Sequence, residues 1–201
     1  MTTKPILLGL YSPTMQSGKT TVARILADEF NFTTLRFAGP LKAMLNALLE
    51  DVGIDEATRE RMLYGDLKET PIPQLCHETP RKLMQTLGTE WGRNAVRSHF
   101  WIDIMFTQIN HHMAEGRNVV VDDVRFANEF YLIRDMDGGN AEITRDGIYE
   151  SSHVSEGALN GYPFDYLIKN TGTLENLRKQ VNGLVAAIKV HQYYNELAIQ
   201  R

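Results

Sequence analysis

Residues 5–10 (PILLGL) form an unbroken apolar run, too short for a helix and closed by a glycine-bearing turn, which predicts a buried strand. Val22, Ile25, Leu26 and Phe30 then recur at three- and four-residue spacing and predict a helix over 20–30. A second short strand is expected at 33–37, and Leu41, Met44, Leu45 and Leu48 predict a helix over 41–49. Residues 79–96 and 100–114 also carry helical spacing. The run NVVV at 118–121 reads as a buried strand that ends in Asp122-Asp123. Short strands are expected at 141–144 and 166–168. Thr173 is a candidate cap for a long last helix, with Leu177, Val181, Leu184, Val185 and Ile188 on one face. Strands alternating with helices predict an α/β fold, with a central, mostly parallel sheet flanked by helices. In such sheets ligands bind beyond the carboxyl ends of the strands.

No repeat or linker-like shift of composition divides the chain, so a single domain over 1–201 is expected. A helical excursion is expected at about 40–115. Within it, 53–80 is rich in charge and contains Pro71 and Pro73, and reads as a segment passing over the site.

Composition narrows the function. The 201 residues are 43% apolar and 23% charged, with a net charge of −4, which argues against a general nucleic-acid binder. No apolar run is long enough for a membrane span. The lone Cys76 excludes an internal disulfide and any multi-cysteine metal site. The opening Met1-Thr-Thr-Lys4 leads into no apolar core with a cleavage site, so a cytoplasmic protein is expected.

The chemistry begins after the first strand. Ser17-Gly18-Lys19-Thr20-Thr21 matches the close of a phosphate-binding loop at a helix start. Backbone N–H groups converge at such a turn, and the helix dipole favours an anion there. Lys19 would reach the β- and γ-phosphates, and the Thr20 hydroxyl would hold Mg²⁺. One position departs from the pattern. Pro13 stands where the loop has its first glycine; it lacks an N–H and cannot take a positive φ. Gly9 lies too far upstream to replace it without a longer loop.

Asp122 and Asp123, at the end of the second buried strand, are both candidates for the neighbourhood of that cation. Arg125 could meet a phosphate bidentately. Arg36, Lys42, Arg81, Arg93, Arg134 and Arg145 are further cations suited to phosphoryl transfer, though any one of them taken alone is more often a solvated surface charge. Arg81 and Gln85, four apart, share a helix face. Neither His111-His112 nor His153-Val-Ser-Glu156 carries metal-ligand or nucleophile-elbow spacing.

These pieces, in order, resemble the deoxynucleoside monophosphate kinases of bacteriophages over nearly the whole chain. The resemblance rests on the SGKTT loop, Arg36-Phe-Ala-Gly-Pro-Leu-Lys42, and Arg81-Lys-Leu-Met-Gln-Thr-Leu-Gly-Thr-Glu-Trp-Gly-Arg93. It continues through Trp101-Ile, Val121-Asp-Asp-Val-Arg-Phe-Ala-Asn-Glu129, Gly138-Gly139, Arg145, His153-Val-Ser-Glu156 and Asn170-Thr-Gly-Thr-Leu-Glu175.

The resemblance implies a P-loop kinase fold with a monophosphate-binding helical segment and a lid at about 134–156. It implies Mg-ATP as donor and a deoxynucleoside 5′-monophosphate as acceptor. Phe37, Lys42, Arg81, Gln85 and Arg93 would line the acceptor pocket. Asp123, with Thr20, would attend the metal. Asp123 and Arg125 would lie between donor and acceptor, and Arg145 would come from the lid. A homodimer is implied too, and the host cytoplasm if the chain is phage-encoded. Animal-type phosphomevalonate kinases share the pieces more loosely. A phosphate loop of this kind would also suit a kinase acting on modified bases in DNA, or a nucleotide-switched binding protein.

Overall fold

The computed structural model describes residues 4–14, 16–145 and 158–199. In chain order its elements are β1 (Leu7–Tyr11), α1 (Lys19–Phe30), β2 (Phe32–Leu35), α2 (Ala38–Asp51) and α3 (Glu56–Tyr64). A 3₁₀ turn (Pro73–Leu75), α4 (Pro80–Thr86), a π-helical stretch (Leu87–Val96) and α5 (Phe100–Ala114) follow. Then come β3 (Asn118–Val121), α6 (Ala127–Asp135), β4 (Gly139–Thr144), β5 (Tyr166–Lys169) and α7 (Leu174–Ile199). The chain forms two compact units, one of Met1–Leu35 with Phe106–Arg201, the other of Arg36–Met105. No described helix is long and apolar enough to cross a membrane.

The first unit is built on five strands in the order β2-β3-β1-β4-β5, and all four pairings are parallel. Every residue of β1 is buried, which explains its continuous apolar run. The order reverses at β1: β2 and β3 lie on one side of it, and β4 and β5 are added on the other. That reversal opens a crevice at the carboxyl end of β1. On one face of the sheet, Val22, Ile25 and Leu26 of α1 pack with Leu177, Val181 and Val185 of α7 against Leu8, Leu10, Val120 and Ile143. Thr173 caps α7 as its sequence suggests, accepting the Asn176 N–H at 3.3 Å.

Gly9 belongs to this packing and not to the loop. A Cβ there would lie 2.3 Å from Asn140 Oδ1 and close to Ile133 and Val124. The helix α6 was not expected, because nine residues are too few to establish a helical period; Phe130, Leu132 and Ile133 bury against the sheet.

The second unit is helical. Its core joins Leu45 and Leu49 of α2, Met62 and Leu63 of α3, and Ile72, with Leu83, Met84 and Leu87 packed against them. The charge-rich segment thus contains a helix of its own, α3, which begins where Asp55 accepts the Thr58 N–H at 3.0 Å. The helix expected over 79–96 changes character at Leu87, where α4 gives way to the π-helical stretch. The strand expected at 33–37 stops at Leu35, and Phe37 instead sits at the start of α2.

Candidate active site

The loop from Ser12 to Gly18 joins β1 to α1 at the sheet reversal. At Pro13 the turn is made by its neighbour: the Ser12 hydroxyl donates to the Thr14 carbonyl at 3.0 Å and accepts the Thr14 N–H at 3.2 Å. A side chain thereby closes the turn without a glycine. The Thr14 hydroxyl is buried and meets no partner among the described residues.

Further along, Gln16 has φ 55° and Gly18 has φ 103°. Left-handed residues alternating along a loop turn successive N–H groups toward one concave side, a geometry that suits anions. Lys19 follows as the first residue of α1, whose first-turn N–H groups have no acceptor within the helix. Thr20 and Thr21 lie in the same turn, with Thr20 exposed.

Two side chains from the ends of neighbouring strands hold this loop. Asn170, just after β5, donates from Nδ2 to the Ser17 carbonyl at 2.9 Å. Arg145, just after β4, donates to the Gln16 carbonyl at 3.4 Å. Together with Thr171 and Gly172, Arg145 and Asn170 line a cleft of about 250 Å³. Ser17 is buried, and a Cβ on Gly18 would lie 2.5 Å from Asn170 Nδ2. The glycine therefore serves both its φ and this close approach.

At the carboxyl end of β3, Asp122 is buried and Asp123 half-buried. Gly9 of β1 pairs with Val121, so these carboxylates follow the strand beside the phosphate loop's own strand. Arg125 has an exposed side chain, but its backbone N–H is bound by the buried Glu129 carboxylate at 2.8 Å. The same oxygen accepts the Phe126 N–H at 3.2 Å.

Part of the expected lid has another structure. Residues 134–144 are the end of α6, a turn and strand β4. Gly138 and Gly139 are there for close packing rather than freedom: a Cβ would lie 2.8 Å from the Ile133 carbonyl at the first and 2.8 Å from the Tyr166 ring at the second. Residues 146–156, including His153 and Glu156, lie outside the described residues. Arg134 faces Asp165 at 3.5 Å.

The acceptor candidates all lie in the second unit. Phe37 is buried at the start of α2, and Lys42 sits 4.0 Å above the Tyr64 ring. Arg81 and Gln85 are one turn apart on α4, and Arg81 is paired with Glu69. Arg93 is on the π-helical stretch. That stretch is fixed by Trp101, whose Nε1–H donates to the Gly88 carbonyl at 2.8 Å. Gly92 gives the indole its room, since a Cβ would lie 2.5 Å from Nε1. π-helical turns are uncommon and concentrate at functional sites.

Asn170, Glu129 and Trp101 were not singled out for these roles by local reading. Asn170 acts on a loop 153 positions away, which no local pattern reports. Glu129 is a helix N3 glutamate, but the cap is Phe126, so the Ser/Thr-x-x-Glu signature is absent.

The thiol and imidazole groups offer no rival centre: among the described residues no three His, Cys, Asp or Glu gather as a metal cluster would. The loop and the first turn of α1 offer backbone N–H groups, a lysine and threonine hydroxyls, and Asp122 and Asp123 follow the neighbouring strand β3. Those hard oxygens suit Mg²⁺, which takes one or two protein ligands and completes its shell with phosphate and water.

The family profile described as deoxynucleotide monophosphate kinase matches residues 75–181. A protein of Acanthamoeba polyphaga mimivirus described as a deoxynucleotide monophosphate kinase is 32% identical over 195 residues, covering 88% of this chain and 94% of that protein. The deoxynucleoside-5′-monophosphate kinase of Escherichia phage T5 is 31% identical over 115 residues, 51% of this chain and 44% of that protein. Among solved structures, dephospho-CoA kinase from Campylobacter jejuni shares the fold, with a TM-score of 0.51 at 14% identity over 92% of this chain and 98% of that one. With the phosphate loop at the head of a parallel sheet and a relative spanning most of its length, the chain belongs to the deoxynucleotide monophosphate kinase family.

Proposed function

We propose that the chain transfers the terminal phosphoryl group of Mg-ATP to a deoxynucleoside 5′-monophosphate, releasing ADP and the diphosphate. The observation that carries this reading is the loop from Ser12 to Gly18, whose carbonyls at Gln16 and Ser17 are bound from outside the loop. That arrangement leaves N–H groups for a polyphosphate.

In the reaction, an oxygen of the acceptor phosphate forms a bond to the γ-phosphorus. The bond from that phosphorus to the β–γ bridging oxygen breaks, and its electrons leave on ADP. Ser17, Gly18, Thr20 and Thr21 bind the donor phosphates through the loop and the first turn of α1. Lys19 places a cation on the β- and γ-oxygens, where charge moves during transfer. Thr20 and Asp123 would hold Mg²⁺, which when bound neutralises phosphate charge. Arg125 and Arg145 add positive charge near the migrating group. Phe37, Lys42, Arg81, Gln85 and Arg93 receive the acceptor, the arginines through its phosphate.

The test is direct. The protein is incubated with Mg-ATP and, separately, each deoxynucleoside monophosphate, each ribonucleoside monophosphate and phosphomevalonate. ADP and the phosphorylated product are followed by chromatography. At least one deoxynucleoside monophosphate is expected to be converted to its diphosphate. Conversion of phosphomevalonate alone, or ATP hydrolysis with no phosphorylated acceptor, would overturn the reading.

A further inference from the structure

We propose that Asn170 is a positioning residue for the phosphoryl donor, acting by setting the orientation of a peptide plane in the phosphate loop. The inference rests on the donor reading above and assigns a role to a side chain outside the SGKTT motif.

The argument starts from the peptide bond. In a trans peptide the carbonyl of one residue and the N–H of the next point in opposite directions within a rigid plane. Fixing the carbonyl therefore aims the N–H. Asn170 Nδ2 binds the Ser17 carbonyl at 2.9 Å, so the Gly18 N–H is turned away from Asn170. Arg145 does the same to the preceding plane: bound to the Gln16 carbonyl at 3.4 Å, it turns the Ser17 N–H away from itself. Two successive donors are thus oriented by side chains that need not touch the anion.

The Asn170 contact is the tighter of the two and the better supported. The Asn170 backbone N–H is itself held by the Thr144 carbonyl at 2.7 Å, which ties the residue to the end of β4. Its amide also lies against Gly18, where a Cβ would approach to 2.5 Å. Glycine at φ 103° is conformationally permissive, and left alone this peptide could rotate. The amide removes that freedom before ligand arrives. Preorganised donors cost no reorganisation when charge develops, which is where such groups gain their effect.

The chemistry of the position is specific. The side chain must donate a hydrogen bond, must be short enough to fit beside Gly18, and must not add negative charge next to a polyphosphate. Asparagine meets all three. Aspartate has the same shape and fails two.

The experiment uses the full chain with Asn170→Asp and Asn170→Ala. ADP affinity is measured by calorimetry, KM for ATP and for the deoxynucleoside monophosphate by steady-state kinetics, and the thermal midpoint without ligand. ADP binding is expected to weaken about tenfold in Asn170→Ala and further in Asn170→Asp. KM for ATP should rise with it, while KM for the monophosphate stays within about twofold. A merely structural role would lower the midpoint and raise both KM values together. Should Asn170→Ala lose its fold, the isosteric Asn170→Asp carries the test. ADP binding within about twofold of wild type in a folded Asn170→Asp would overturn the proposal while leaving the kinase reading intact. Wild-type protein that binds no ADP would remove both.

Discussion

The carboxylate of Glu129 and the backbone N–H of Arg125 are 2.8 Å apart, and the carboxylate is buried. Through this bond the first turn of α6 fixes the peptide that carries Arg125, just beyond Asp123. The Arg125 side chain is left exposed and available to an anion while its main chain is held. Glu129→Ala leaves the N–H groups of Arg125 and Phe126 without this acceptor, a cost of about 1–3 kcal/mol. At roughly 2–4 °C per kcal/mol for a chain of this size, the thermal midpoint should fall by several degrees. The kcat should fall about tenfold or more as Arg125 loses its placement. Glu129→Gln retains an oxygen acceptor and should recover part of both. Calorimetry and turnover measured on the same preparations check this; equal activity in all three proteins would refute it.

Lys19 opens α1 directly after the left-handed Gly18. Its role is charge stabilisation during transfer, so Lys19→Ala should lower kcat by about 10²–10³. The thermal midpoint should stay within a few degrees of wild type. Turnover near the wild-type value would remove Lys19 from the reaction.

Asp122 and Asp123 adjoin one another but differ in exposure, Asp122 being buried and Asp123 half-buried. The accessible carboxylate is the better placed to meet a hydrated cation. Asp123→Asn should therefore raise the Mg²⁺ concentration needed for half-maximal rate more than Asp122→Asn does. Titrating Mg²⁺ against rate in both variants decides the matter, and an equal, small response in the two would withdraw Asp123 from the metal.

Gly92 and Trp101 lock the π-helical stretch that carries Arg93. Gly92→Ala drives a methyl into the indole and should cost about 1–3 kcal/mol. Trp91 and Trp101 are the two tryptophans of the chain, and both belong to the second unit. Their emission should shift in Gly92→Ala, and KM for the monophosphate should rise more than KM for ATP. An unchanged spectrum with unchanged KM values would show that the stretch tolerates the methyl.

Glu142, in the strand β4 beside β1, has its carboxyl pKa raised by burial. The folded chain thus holds this proton to higher pH than the unfolded chain, whose glutamates ionise at about 4.3. Below that value both states are protonated and nothing is lost. As pH rises from there through the raised pKa, the unfolded state gives up its proton first and stability falls. Glu142→Gln removes this penalty. Its thermal midpoint relative to wild type should climb as pH rises above about 4.3 and level off once the carboxyl of the folded chain has ionised. A constant difference across that range would contradict the assignment.

The pattern of apolar positions was sufficient for the α/β class, because each buried strand and each amphipathic helix must write its own periodicity into the chain. The phosphate loop was legible for a similar reason: Ser17-Gly18-Lys19-Thr20 is contiguous, and its backbone geometry is local. The paired carboxylates after β3 were legible as well, since a polar pair ending an apolar strand marks the strand's carboxyl end.

Tertiary structure decided the rest. The helix α6 draws its stability from burying Phe130 and Ile133 against the sheet, and its nine residues are too short a window to announce a helix by periodicity. The packing of Gly138 and Gly139 against Ile133 and Tyr166 turned an expected flexible stretch into a helix end and a core strand. The π-helical stretch exists because an indole nine residues beyond Gly92 claims the Gly88 carbonyl. Most of all, the bonds from Asn170 to Ser17 and from Arg145 to Gln16 join residues more than a hundred positions apart. A hydrogen bond between distant residues depends on how strands order themselves in a sheet. That order is a property of the folded chain and leaves no mark on either residue's neighbours.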